Sequence, residues 1–244
     1  GQGSRANAVA LALLPFVKDY IGGNTPLHLI RKNNQRVGSG LLLDVVSTIA
    51  YGNKPPMSTL AADEAEITKE ITSKVKQRSP FFITDNFEGE LRSPALASAM
   101  TGGIWEKREL GSNNIIRGKP DFIFAMTTNN GTLRADFPDR ASLIRLHSWH
   151  PQPSQRTDVK HRGAHGLLSF IQSRRGELVW AALTLIQHWF ARGAKPGEDV
   201  VMGGFERWAE VMGGILRDAG ISGFMSNRAL LTSGEVDVDG GIRK

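Results

Sequence analysis

An α/β fold follows from the sequence: a parallel sheet with polar loops beyond the carboxyl ends of its strands, and then a small C-terminal α-helical subdomain. Short apolar runs, "PLHLI" at 26–30, "FFITD" at 81–85 and "FIFAMTT" at 122–128, alternate with helix-length amphipathic stretches as far as residue 147. Each run ends in polar residues, as buried parallel strands do where they feed loops. Beyond residue 163 apolar positions recur at three- and four-residue spacing, which marks helices alone.

Taken in order, residues 5–20 read as a helix, Gly22-Gly23-Asn24 as a turn and 26–30 as the first strand. The leading Gly-Gln-Gly-Ser is expected to carry no structural weight. A glycine-bearing loop at 31–40 and a helix at 41–50 follow, and the Pro/Gly stretch "YGNKPPMST" breaks the pattern. Residues 62–77 form a helix with Asp63, Glu64 and Glu66 early and Lys74 and Lys76 late, a polarity that suits the helix dipole. A strand at 81–85 and a small-residue helix at 93–101 come next. Residues 103–119 have two β-like arms around Gly-Ser-Asn-Asn and predict a hairpin. Strands at 121–130 and 142–147 complete the sheet. Residues 148–163 form a basic linker with Arg156, Lys160, His161 and Arg162, and its histidines lack metal-site spacing. Helices are expected at 164–174, 176–191 and 204–219, and the tail from 224 lacks a period and is expected to be poorly ordered. The division is therefore 1–147 for the sheet core with its leading helix, 148–163 for the linker, and 164–244 for the helical subdomain and tail.

Composition narrows the function. Across 244 residues, 40% hydrophobic and 22% charged residues describe a globular chain with a real core. With no cysteine, disulfides and thiolate–metal sites are excluded, and a cytoplasmic location is expected. A formal charge of +6 fits a polyanionic partner. The longest apolar run, from Ala8 to Val17, contains Pro15 and is too short to cross a bilayer, so no membrane partner is expected.

Ligands of open parallel sheets bind beyond the carboxyl ends of the strands. Polar clusters at 31–40, 85–90, 127–130 and 136–140 are expected to meet there on one edge. The segments "GNTPLHLI", "SGLLLDVVSTIAYG", "FFITDN", "SPALASAMTGGIWEKRELG", "FIFAMTTNN" and "ADFPDRASLIRL", in that order, resemble the AAA+ type of P-loop ATPase. The resemblance is nearest to the helicase domains of superfamily III and of phage or plasmid primase-helicases.

That resemblance implies a parallel-sheet P-loop core, ATP and Mg²⁺ as ligands, single-stranded or duplex DNA as partner, and a homo-oligomeric ring. It places Asp85 at the Walker B position as the Mg²⁺-holding carboxylate. Asn86 follows where many such ATPases carry a glutamate, with Glu88 and Glu90 nearby. Asn129 or Asn130 takes the sensor 1 place, which orients water near the γ-phosphate. Arg140 or Arg108 is the arginine that stabilises transferred charge across a subunit boundary. Lys107, Arg108, Arg117 and Lys119 charge a hairpin that touches the nucleic-acid backbone, a contact blind to sequence and sensitive to salt.

The phosphate loop departs from the family. Where it would read approximately Gly-x-Gly-Lys-Ser/Thr across 36–40, this chain has Arg36, Val37, Gly38, Ser39 and Gly40. Sliding the alignment by one puts Leu41 at the lysine place, and either way the lysine and the hydroxyl are displaced or lost. Without a glycine at 36, Arg36 and Val37 cannot adopt positive φ cheaply, which is expected to keep the loop from wrapping phosphates closely. Losing a point charge in a dry site costs about 2–4 kcal/mol, roughly a hundredfold. Arg36, Lys32 and Lys69 are the candidate replacements. Three functions compete: a weakened nucleic-acid-dependent ATPase of the helicase type from a mobile-element replication protein; a pseudo-ATPase scaffold that oligomerises and binds DNA; and a plain basic DNA-binding module.

Overall fold

The computed structural model describes residues 1–109, 113–150, 152–155 and 163–231. Its centre is a four-stranded, wholly parallel sheet. The strands are β1 (Leu27–Lys32), β2 (Phe81–Phe87), β6 (Ile123–Thr128) and β8 (Ala141–Leu146), in the spatial order β2-β6-β1-β8. All six residues of β6 are buried, as are the first four of β1, β2 and β8. A parallel sheet with both faces covered requires that, and the near-continuous apolar runs supply it.

Helices α1 (Gln2–Ile21), α2 (Ser39–Tyr51), α3 (Glu64–Lys76) and α4 (Pro94–Thr101) interleave with the strands. The Asp63 side chain accepts from Ala65 N at 2.8 Å and starts α3. Ser93 does the same for α4 through Leu96 N at 3.1 Å, with Pro94 pre-shaping the first turn. The expected hairpin is β4 (Trp105–Arg108) against β5 (Ile115–Gly118), antiparallel; residues 110–112 of its turn lie outside the described residues. Helices α5 (Gly163–Ser173), α6 (Arg175–Ala191) and α7 (Glu206–Asp218) follow. Most of the basic linker, including Arg156, Lys160, His161 and Arg162, lies outside the described residues.

Four expectations need correction. The leading residues are structural: α1 begins at Gln2, and buried Ser4 accepts at its Oγ from Arg145 N (2.9 Å) and Asn227 Nδ2 (3.2 Å). Residues 224–231 are packed rather than loose, with Met225 and Leu231 buried and a short 3-10 turn at Arg228–Leu231 beside β8. Asn7 holds this segment, donating from Nδ2 to Leu143 O (2.8 Å) and accepting from Met225 N (3.0 Å); residues 232–244 lie outside the described residues. A small parallel ladder of β3 (Glu90–Leu91) and β7 (Thr132–Leu133) was not foreseen. The glycine loop is also shorter than expected, because β1 runs on to Lys32 and α2 starts at Ser39. Helix α7 and the sheet share one cluster of buried side chains, in which Trp208, Val211, Met212 and Ile215 join Leu27, Leu29 and Leu143.

Candidate functional site

The loop between β1 and α2 spans 33–38. Gly38 stands at φ 103°, a conformation glycine alone adopts cheaply, and it turns the chain into α2. Ser39 and Gly40 are therefore the first helical residues, and their backbone N–H groups face outward from the helix start, where an anion is favoured. Arg36 does take positive φ, at 59°, the conformation that was expected to be costly for it. A residue held there costs on the order of 1–3 kcal/mol. Arg36 is exposed and makes no hydrogen bond or ion pair with any described residue. The start of the loop is pinned instead. Asn33 donates from Nδ2 to Ser148 O and accepts at Oδ1 from Ser148 N, both at 3.0 Å.

Two strands away, β2 delivers Asp85. Ser58 bonds along the outer edge of β2, donating its N–H to Ile83 O (3.1 Å) and accepting from Asp85 N (2.8 Å). Buried Thr127 of β6 donates from Oγ1 to Asp85 Oδ1 at 2.6 Å and accepts from Asn86 N at 2.8 Å. One carboxylate oxygen is thus held by protein, and Oδ2 has no partner among the described residues. That suits a hard cation. Asn86 stands at φ 51° and reaches Glu88 Oε1 at 3.5 Å, while Glu90 is paired with Arg134.

Beyond β6 the chain turns sharply. Thr128 Oγ1 donates to Phe87 O (2.8 Å) and accepts from Gly131 N (2.6 Å). A Cβ at Gly131 would lie 2.3 Å from the Phe87 ring, so only glycine fits. The turn presents Asn129, whose Oδ1 is buried and has no partner among the described residues; Asn130 is exposed. A buried amide oxygen left unpaired is costly unless a ligand or water meets it.

Register brings these pieces to one level. Thr84 lies opposite Met126 and Met126 opposite Leu29, so Asp85, Thr127 and Ile30 are neighbours just below the loop. The loop at 33–38, Asp85 and Asn129 therefore stand at the carboxyl ends of three adjacent strands. The 136–140 cluster does not join them. Arg140 immediately precedes β8, whose first residue is opposite Leu27, at the amino edge of the sheet. There its guanidinium donates to Ala97 O (3.0 Å) and Thr101 Oγ1 (2.8 Å) and pairs with Asp136. The hairpin also returns at this edge. Lys107 lies over the Trp105 ring, Arg117 pairs with Glu106, Lys119 reaches Gly22 O at 3.5 Å, and Arg108 ends β4 exposed.

Of the proposed replacement cations, Lys69 is paired with Glu66 on α3. Thr127 and Arg31 fall inside the expected polar clusters, but the sequence singled out neither, Thr127 being one more hydroxyl in a threonine-rich strand end. Arg31 lies beside Arg145 in register and donates to Leu230 O at 3.3 Å. Burial first, and Arg145 second, holds the Arg31 pKa below its ordinary value. Among the described residues no helix is long and apolar enough to cross a membrane.

Comparison with protein-family models and with curated proteins returns no match. Among solved structures, the chain is similar to the apo A form of the NrS-1 C-terminal region, with a TM-score of 0.48, 13% identity, and coverage of 93% of this chain and 46% of that one. It is also similar to the JCV helicase, with a TM-score of 0.39, 13% identity, and coverage of 93% of this chain and 64% of that one. The chain spans less than two thirds of either.

Proposed function

We propose that this chain is the nucleotide-binding core of a nucleic-acid-dependent ATPase of the helicase type, from a replication protein of a mobile element, with a weakened phosphate loop. One observation carries the reading: the turn at Gly38, Asp85 and the orphaned Asn129 oxygen lie at the ends of three adjacent parallel strands. The residues fit the expected ligands in part. Backbone N–H groups from Gly38 to Gly40 would take phosphate oxygens, and the free oxygen of Asp85 would take Mg²⁺. When bound, Mg²⁺ offsets phosphate charge. Asn129 would meet a water or a terminal phosphate oxygen. At the opposite edge, Lys107, Arg117 and Lys119 would contact a DNA backbone. Arg140, being at that edge, would serve only the site of a neighbouring copy in a homo-oligomer.

A second reading, a scaffold that binds DNA and oligomerises without turnover, is favoured by one feature: α2 opens with Ser39 and Gly40, where lysine and a hydroxyl would be needed. Calorimetric titration of ATP with and without Mg²⁺, paired with a turnover assay, separates the two. Mg²⁺-dependent binding with slow phosphate release, abolished in Asp85→Ala, supports the first. Absence of heat and of any melting shift at millimolar ATP supports the scaffold. For the hairpin, charge removal at Lys107 and Arg117 is expected to weaken single-stranded DNA binding and to flatten its salt dependence.

A further inference from the structure

The Trp149 indole is 78% exposed, and neither the core nor the site described above uses it. It is nonetheless not loosely placed. Its neighbour Ser148 is buried and is bound by both its N–H and its carbonyl to Asn33, the first residue of the 33–38 loop. Ser148 Oγ also accepts from His150 N at 3.2 Å, which closes the turn around Trp149. The His147 ring, itself exposed, meets the indole at 4.1 Å between centroids and 62° between planes, and most of the indole surface stays open. A large flat side chain is thus held one residue from an anchor on the candidate phosphate loop.

We propose that Trp149, supported by His147, stacks on the base of a nucleotide whose phosphates occupy the 33–38 loop. The inference rests on the nucleotide reading above and names the part of the ligand that reading leaves unassigned. Stacking uses the π face that every base has, so it selects by ring size rather than by hydrogen-bonding edge. Purine nucleotides are therefore preferred over pyrimidine nucleotides, without strict choice between adenine and guanine. Stacking also supplies affinity that does not depend on the missing lysine.

The test compares ATP, CTP and inorganic triphosphate, each with Mg²⁺, on the wild-type chain, Trp149→Ala and Trp149→Phe. Because the indole is exposed, both variants are expected to keep the wild-type melting temperature. Trp149→Ala is expected to lose on the order of tenfold in ATP affinity. It should lose less for CTP and nothing for triphosphate, while Trp149→Phe retains most of the ATP affinity. Equal ATP affinity in Trp149→Ala and wild type overturns the stacking role while the nucleotide reading stands. Failure of the wild type to bind either ATP or triphosphate overturns both. Loss of single-stranded DNA binding in Trp149→Ala with ATP affinity unchanged also overturns it, and assigns the indole to nucleic acid.

Discussion

On the β2–β6 side of the candidate site, Asp85 is gripped by Thr127, its backbone is braced by Ser58, and the turn bearing Asn129 is locked by Thr128 and Gly131. On the β1–α2 side, the loop is pinned by side-chain hydrogen bonds at Asn33 alone among the described residues, carries a left-handed Arg36, and enters its helix through Ser39 and Gly40. The first half spends several hydrogen bonds, each contributing about 1 kcal/mol and more where a charge is involved, on holding a carboxylate in place. The second half keeps the backbone shape of an anion loop without the side chains that would supply its charge. If the proposed nucleotide reading holds, shape and charge are separable here: the backbone turn at Gly38 is kept while Ser39 and Gly40 bring no cation.

The largest expected effect tests whether charge alone is missing. Ser39→Lys combined with Gly40→Thr should raise ATP affinity roughly a hundredfold, read by calorimetry. A folded variant that still ignores ATP removes the case for a lapsed phosphate loop. Next is the contrast between the strands that feed the two halves. Thr127 and Thr128 of β6 are hydrogen-bonded, whereas His28 of β1 is buried with neither ring nitrogen partnered among the described residues, edge-on to Trp208 and opposite Ser142, whose hydroxyl is likewise without a partner among them. Burial pushes the His28 pKa down to about 3. Above the ordinary value near 6.5 His28 is neutral in both folded and unfolded forms, so it adds no pH dependence there. Below it the unfolded chain takes up a proton that the folded one refuses, and stability falls toward pH 3. The loss between pH 6.5 and 5 is about 2 kcal/mol. Urea unfolding at the two pH values should show this slope, and His28→Leu should remove it.

Thr127→Val keeps the shape of β6 but leaves the Asn86 N–H unpaired and Asp85 unheld. It should cost about 1–3 kcal/mol of stability and weaken any Mg²⁺ response beyond that. A variant as stable as wild type would mean that the carboxylate half is no better held than the loop. The smallest effect is at Arg36. Relief of its left-handed conformation by Arg36→Gly should stabilise the fold by about 1 kcal/mol, seen as a raised melting temperature. If the guanidinium stands in for the lost lysine, ATP binding should fall at the same time.

The strands and helices were legible because their apolar periodicity is strong: β1, β2, β6, β8 and α3 fall within two residues of their expected bounds. That Asp85 and Asn129 lie at strand ends was legible because each is a polar residue closing a buried apolar run. What could not be read was mostly tertiary. Two-residue ladders such as β3–β7 have no period, and the helix start at Ser4 is tied to Arg145 and Asn227 across the fold. Arg36 takes an unfavourable φ that no local propensity reports. Arg140 looked like a member of the nucleotide edge because it follows Asn129 closely in sequence. Only the parallel direction of β8 shows that the chain has crossed to the other edge by then.

Strand β6 joins those two edges. Its amino end receives the chain from the hairpin within a few residues, and its carboxyl end carries Thr127 and the turn that presents Asn129. It is six residues long, about 20 Å, and every side chain in it is enclosed. Close-packed interiors compress little. A displacement of the hairpin would thus reach the buried Asn129 amide and the Thr127 grip on Asp85 through one stiff rod.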